Sequence, residues 1–438
     1  MNLESIDACQ TLGGFEYRVF DNGLVALVEP NPHSDLAALM VAVNAGSADD
    51  DPSAIGTAYF LEHMAFKSNP VHTKEQLAQE MEFAGIERSP ATSPTAIRFK
   101  FTLVPESLSV AVRLAHESYT NTTYDPKEFE NEKKPIEGEI NGNEKNSKVR
   151  YTKHHLYPAV YAGTPFANLI TGTVEQAKAL TLDDLIRFKQ THFRPRKTLI
   201  VATGSVDPST FFSEIEKTFG QLPSGDSPIS FYTWDFKSRT LYIEEDALKG
   251  APSDKDLAAA FLAFQVSPYG HQDEAGLSFM QTLLRDGFSS LLVDRLRAQR
   301  GIGYTPSSGF MSYRRNASVA LGVPPEFHPS RIEEAIEVIQ GVVDDMKKGR
   351  LDPSFFDGKK RHYSLIHRKS LQDPLTRAQA WTNQIFEGGH YDFRTLPSVI
   401  AQFSQGAFTD LSQRNFSTEP LIVIASAPGY QNRHRPSS

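Results

Sequence analysis

The 438-residue chain has a single cysteine, Cys9. That excludes an internal disulfide framework and any cysteine-rich zinc module. No apolar run approaches the roughly 18 residues that a membrane-crossing helix needs. The opening Met1-Asn2-Leu3-Glu4-Ser5 has neither the basic nor the apolar stretch of a secretory leader, so a cytoplasmic chain is expected. Basic charge is short as well, with 45 Lys and Arg against 53 Asp and Glu, a net charge of -8. Nucleic-acid binding needs a basic footprint, and that class is set aside as the main business. Apolar side chain is plentiful, at 39% of residues. The length exceeds one ordinary core, so two domains are expected.

Local signals give an outline. Phe15 to Phe20 and Leu24 to Glu29 flank Asp21-Asn22-Gly23, whose Asn-Gly pair predicts a hairpin. Ala37 to Val43 reads as a buried strand. Asp51-Pro52 predicts a helix start, with Asp as cap and Pro at the first helical position, and a helix running to about Lys67. A second helix is expected from about Glu106 to Tyr119. Asp125-Pro126 and Asp207-Pro208 open two more, with a strand at Thr198 to Thr203 between them. Gln221 to Pro228 is turn chemistry throughout. It divides the chain into an N-terminal domain, 1–224, and a C-terminal domain, 229–438. The tail around Arg433-His434-Arg435-Pro436 reads as a disordered terminus.

The second half reads as a worn copy of the first. Tyr124-Asp125-Pro126 with Lys133-Lys134 has a counterpart in Leu351-Asp352-Pro353 with Lys359-Lys360. Phe261 to Val266 and a helix from about Asp273 to Arg285 echo the strand at Ala37 and the helix after Pro52. The first of these helices carries Glu62 and His63, where the second has Met280-Gln281-Thr282-Leu283-Leu284.

Positions i, i+3 and i+4 share a helical face, so Tyr59, Glu62 and His63 project together. Glu132 and Glu139 lie two turns apart on one face of the third helix. By composition alone that helix is a solvated acidic face. His154-His155 reads as an exposed pair. Gly301-Ile302-Gly303 is a short glycine turn without the strand, third glycine and acidic partner of a dinucleotide site.

The segment Gly56-Thr57-Ala58-Tyr59-Phe60-Leu61-Glu62-His63-Met64-Ala65-Phe66 resembles the signature helix of the M16 zinc metallopeptidases, the pitrilysin and mitochondrial-processing-peptidase group, whose inverted motif is His-x-x-Glu-His. The likeness continues through Glu132 to Ile140, Leu169 to Thr173, Leu180 to Leu185, Phe193-Arg194-Pro195 and Leu296 to Tyr304. It implies an α+β fold of two homologous M16-type (LuxS/processing-peptidase-like) domains, each a mixed sheet with helices on one face, closed as a clamshell. It also implies a zinc held by two histidines and a glutamate, with one position left for water. A glutamate would take that water's proton while zinc polarises the scissile carbonyl. Carried over by position, His63 and Glu139 match ligands, Glu62 the general base and Glu132 an acid behind the ligands. Arg297 and Tyr304 match the substrate-binding pair of the second domain. Ser89, Pro90, Ala91 and Thr92 match the edge strand on which the family lays its peptide.

Three departures follow. Tyr59 stands where the first histidine ligand belongs, and a phenol with a pKa of about 10 is a poor ligand. Pro135 falls inside the Glu132–Glu139 helix, where proline removes a backbone bond and can kink the chain. Ser89-Pro90 replaces the Asn-Ala of the edge strand, and Pro90 cannot donate to an added strand. The Arg297–Tyr304 block is intact.

Some M16 enzymes are heterodimers in which one subunit carries the zinc motif and the other carries this pair. The expectation is therefore a non-zinc, substrate-binding or regulatory subunit acting on peptides, weak or absent in zinc, and partnered by a zinc-bearing M16 chain or by a second copy. The rivals are an active peptidase using Tyr59 in place of a histidine, and a non-enzymatic binding or assembly module.

Overall fold

The computed structural model describes residues 4–7, 9–225, 228–250 and 255–430. The C-terminal tail and part of the turn segment at 221–228 lie outside the described residues. The chain forms two compact units. The first takes residues up to Gly142, Asn168–Phe231 and Lys369–Gly388; the second takes Asn143–Ala167, Tyr232–Arg368 and the chain from Gly389. Each half of the chain thus gives one helical segment to the unit built mainly from the other half.

The hairpin forms as its Asn-Gly turn predicts. β1 (Glu16–Val19) pairs antiparallel with β2 (Val25–Pro30), Val19 opposite Val25. Gly23 takes the positive φ of 85° that the turn needs. The Asn22 side chain accepts from Leu24 N at 3.0 Å and donates to the Phe219 carbonyl at 2.9 Å, which ties the turn to the core.

β3 (Ala37–Val43) is buried along its whole length, as an unbroken apolar run requires of a central strand. With β4 (Ile86–Arg88), β5 (Ala91–Thr92), β6 (Ile97–Leu103) and β7 (Thr198–Gly204) it completes a sheet of order β1-β2-β7-β3-β6-β4, with β5 also on β6. The β2–β7 pair is parallel and the others are antiparallel.

The second sheet contains β8 (Thr240–Glu244), β9 (Ala258–Gln265), β10 (Ser307–Tyr313), β11 (Asn316–Phe327) and β12 (Leu421–Ser426), in the order β10-β11-β9-β12-β8. Here β8 and β12 are the parallel pair. The order β2-β7-β3-β6 and the order β8-β12-β9-β11 are one topology written twice, including the place of the parallel pair. The duplication read in the sequence is present in the fold.

α1 is Thr57–Met64, α2 Lys74–Phe83, α3 Leu108–Thr120, α4 Pro126–Lys145, α5 Leu182–His192 and α6 Pro208–Lys217. In the second half, α7 is Glu274–Leu284, α8 Ile332–Lys347, α9 Pro353–Ser370 and α10 Pro374–Glu387. No described helix is long and apolar enough to cross a membrane.

On the first sheet, Ala37, Leu39, Val41 and Val43 join one core with Ala111, Leu114 and Ala115 of α3 and Phe211, Phe212 and Ile215 of α6. Alternate residues of the same strands meet α10 on the opposite face. Thr382 Oγ1 lies 3.2 Å from Met40 Sδ, and Trp381 Nε1 donates to Glu29 at 2.8 Å. Arg377 closes an ion pair on the same buried Glu29, with Nε at 3.0 Å. A buried carboxylate needs such partners, because stripping one leaves a charge without compensation. Arg377→Ala is expected to destabilise the first unit by about 3 kcal/mol. A chemical denaturation midpoint within error of the parent would refute this.

One expected boundary is corrected. The helix of the signature segment starts at Thr57, after Pro52, and ends at Met64, before Lys67. Asp51-Pro52 lies in a turn in which Asp51 Oδ1 accepts from Ser53 N at 2.9 Å. The start belongs to Asp50, whose two oxygens accept from Gly56 N and Ala58 N, each at 2.8 Å. Gly56 has a φ of 98°, a conformation that no helix passes through, so the helix begins after it. A Cβ there would stand 2.7 Å from the Thr171 carbonyl oxygen. Burial pushes the Asp50 carboxyl up to about 7 against those backbone hydrogen bonds.

Candidate functional site

In the first unit, α1 and α4 bring five predicted side chains together. Tyr59 and His63 stand one turn apart on α1 with ring centroids 4.7 Å apart. His63 Nδ1 lies 3.0 Å from Glu132 Oε1, and Lys67 pairs with the other oxygen of that carboxylate. Lys67 lies three residues beyond the end of α1, so helical spacing did not point to it, and it reaches Glu132 from the turn that follows. Burial acts to raise the Glu132 carboxyl, but His63 and Lys67 hold it below the usual carboxylate range.

The Tyr59 hydroxyl donates to Glu139 Oε2. Burial, and then the Glu139 carboxylate, push the phenol above its ordinary value, so it keeps its proton. Helix α4 runs without a break through Pro135, and Glu139 still reaches Tyr59.

Glu62 is only 8% exposed, and burial raises its carboxyl above the ordinary value, with His63 opposing. Thr92 Oγ1 donates to Glu62 Oε2 at 3.4 Å, which links the helix to the sheet edge. A buried carboxyl raised above its ordinary value is a better proton acceptor than a solvated one.

The side chains do not fit the zinc site that the family motif implies. Among the described residues, no group of three His, Cys, Asp or Glu side chains is disposed to hold a metal ion. The first ligand position carries a protonated phenol, and its hydrogen bond occupies the carboxylate at another, Glu139. Zinc needs deprotonated donors, and a structural or catalytic site needs at least three from the protein.

At the sheet edge the predicted substrate strand is divided. Ile86–Arg88 and Ala91–Thr92 both pair with β6, and the interruption falls at Ser89-Pro90. Ser89 N donates to Lys100 O at 2.9 Å, and Ser93 N to Ala96 O at 2.8 Å. In an antiparallel ladder the intervening residues turn their peptide groups outward. Pro90 and Thr92 therefore face away from β6, and the proline offers a carbonyl there with no donor.

In the second unit, Arg297 belongs to a π-helical turn, Val293–Ala298. Its guanidinium carbon lies 3.9 Å from the centroid of the Tyr304 ring. Phe288, at 5.6 Å, adds a second ring that the sequence reading did not single out. Tyr304 is 67% exposed and Phe288 82%, so the cluster presents a cation framed by aromatic faces to solvent. The expectation of an exposed histidine pair is corrected: His154 and His155 are both half-buried, and His155 pairs with Glu245, which also binds Arg150. Gly301 and Gly303 have φ of 65° and 70°, a tight turn as expected.

Two family models match successive stretches of this chain. The one described as Insulinase (Peptidase family M16) covers residues 25–174, and the one described as Peptidase M16 inactive domain covers 179–363. The chain belongs to the M16 peptidase family.

Among relatives of this M16 chain, the mitochondrial-processing peptidase subunit beta of Lentinula edodes is 27% identical over 302 residues. That match covers 67% of this chain and 64% of the fungal protein, so the chain spans under two thirds of that relative's length. A Bacillus subtilis protein named uncharacterized zinc protease YmxG is 21% identical over 412 residues, covering 93% of this chain and 97% of its own. Two solved structures share the fold. A protease from Helicobacter pylori has a TM-score of 0.83 at 18% identity, covering 94% of this chain and 99% of its own. A peptidase M16 inactive domain from Pseudomonas fluorescens has a TM-score of 0.84 at 15% identity, covering 95% and 99%.

Proposed function

We propose that this M16 chain is the non-zinc, substrate-binding or regulatory subunit of a heterodimeric zinc metallopeptidase acting on peptides in the cytoplasm. The observation that carries the reading is the Tyr59–Glu139 hydrogen bond, which puts a protonated phenol where the family motif has a ligand. The stacked Arg297–Tyr304 pair supports the binding half of the role. In this reading Glu62 keeps the general-base position without a metal-bound water to act on. His63 and Glu139 are surviving ligand positions, Glu132 orients His63, and Ser89 to Thr92 form the peptide-receiving edge.

The test is reconstitution with a zinc-motif-bearing M16 chain from the same source, using a quenched fluorogenic casein peptide. Chelator-sensitive cleavage is expected in the mixture, and at most background from this chain alone. Stoichiometric zinc together with cleavage by the isolated chain would sink the proposal and favour an active peptidase. That second reading draws support from the name of the Bacillus subtilis relative. If no mixture cleaves and peptide binding ignores Arg297, the chain is a non-enzymatic module.

A further inference from the structure

We propose that Glu326 is the positioning residue for the Arg297–Tyr304 pair, clamping the loop that carries Tyr304 while Lys148 clamps Glu326. This rests on the reading of that pair as a peptide-binding element.

The two members of the pair are anchored separately. Arg297 sits on its π-helical turn, and the chain beyond it folds back so that Gly301 N donates to Arg297 O at 2.9 Å and Ile302 N to Leu296 O at 2.8 Å. Ile302 is fully buried. Gly303 follows with positive φ, and a Cβ there would stand 2.3 Å from Val323 Cγ1. The chain then emerges as Tyr304, which is mostly exposed and has no core of its own to hold it.

Glu326, near the end of β11, meets it there. Its Oε2 accepts from Tyr304 N at 2.9 Å and from Thr305 N at 2.5 Å. Its Oε1 accepts from Thr305 Oγ1 at 2.8 Å. Lys148 forms an ion pair with the same carboxylate and donates to Thr305 Oγ1 at 3.2 Å. Burial acts to raise the Glu326 carboxyl, yet Lys148 and the Thr305 and Tyr304 donors hold it below the usual range. A carboxylate with two backbone donors, a hydroxyl and an ammonium fixes a backbone more firmly than neutral hydrogen bonds do. The stack of Arg297 on Tyr304 depends on where the ring sits, and this contact fixes the backbone that carries it.

The experiment uses the full chain and its variants Glu326→Ala, Glu326→Gln, Lys148→Met and Arg297→Ala. Chymotryptic cleavage after Tyr304, mapped by mass spectrometry, reads loop order. Anisotropy of fluorescein-labelled casein peptides reads binding.

Glu326→Ala is expected to speed cleavage after Tyr304 by about tenfold and to weaken peptide binding by about tenfold, with Glu326→Gln and Lys148→Met between it and the parent in both. Arg297→Ala is expected to weaken binding with little change in cleavage. If Glu326→Ala does not fold, the two milder variants carry the comparison. Faster cleavage with unchanged binding, while Arg297→Ala binds weakly, would reduce Glu326 to a structural loop anchor and overturn the proposal. Parent-like cleavage and binding in Glu326→Ala would overturn it outright. Parent-like binding in Arg297→Ala would instead remove the underlying reading of the pair, and the positioning role with it.

Discussion

Tyr59→His is expected to bind about one equivalent of zinc after dialysis, where the parent is expected to bind almost none. The argument is geometric. Position 59 is one turn before His63 on α1, so an imidazole there lies on the same face. His63 is already oriented by Glu132 through Nδ1, an arrangement that fixes the ring, and among the described residues its Nε2 has no hydrogen-bond partner. Glu139 already reaches position 59 from α4, where the phenol now donates to its carboxylate. The substitution removes a proton donor and adds a donor of electrons at one step.

Tyr59→Phe separates the two effects. It frees Glu139 but adds no ligand, so it is expected to bind as little zinc as the parent and to lose about 1 kcal/mol for a hydrogen bond at a partly solvated site. Elemental analysis of the three proteins decides. Zinc near one per chain in the parent would refute the reading of Tyr59 as the disabling residue. Zinc in none of them would place the defect elsewhere, with Pro135 in the ligand helix as the next residue to revert.

Much of this was legible from the sequence where a local signal met no competitor. Asn22-Gly23 needs a positive φ and got one; Asp125-Pro126 and Asp207-Pro208 opened helices as written. The same Asp-Pro signal failed at Asp51 because two tertiary features outweighed it: Asp50 reaches six to eight residues along the chain to the helix N-terminus, and Gly56 must be left-handed where it packs on Thr171. Neither leaves a local mark.

The exchange of helical segments between units was also illegible. α10 is amphipathic like any other helix, and nothing in its pattern says that its apolar face meets Met40 and Glu29 from the other end of the chain. The Tyr59 substitution could be read directly, since it breaks a motif. Its consequence could not, because a lost ligand does not say what replaces the metal. In this structure a hydrogen bond ties α1 to α4 in its place.

The second large effect is expected at Arg297. In the reconstituted pair, Arg297→Ala should raise KM for the fluorogenic peptide by about tenfold to a hundredfold and leave kcat nearly unchanged. The range follows from about 1.5–3 kcal/mol for a hydrogen bond to a charged group. A rise confined to KM is what loss of binding, equal in ground and transition states, produces. A fall in kcat would instead make Arg297 part of the chemistry.

Tyr304 refines the expectation. Its ring lies 3.9 Å from the guanidinium carbon, and none of its contacts with Arg297 need the hydroxyl. Tyr304→Phe should therefore keep the arginine framed and stay near the parent, unless the phenol itself binds peptide. Tyr304→Ala removes a cation–π partner worth about 0.5–1 kcal/mol at an exposed site, and frees a side chain that must then be reordered on binding. It should fall between Tyr304→Phe and Arg297→Ala. The order Phe, Ala, then the arginine variant would assign the ring to positioning and the charge to recognition. A Tyr304→Phe variant as weak as Arg297→Ala would reverse that division and make the hydroxyl the recognising group.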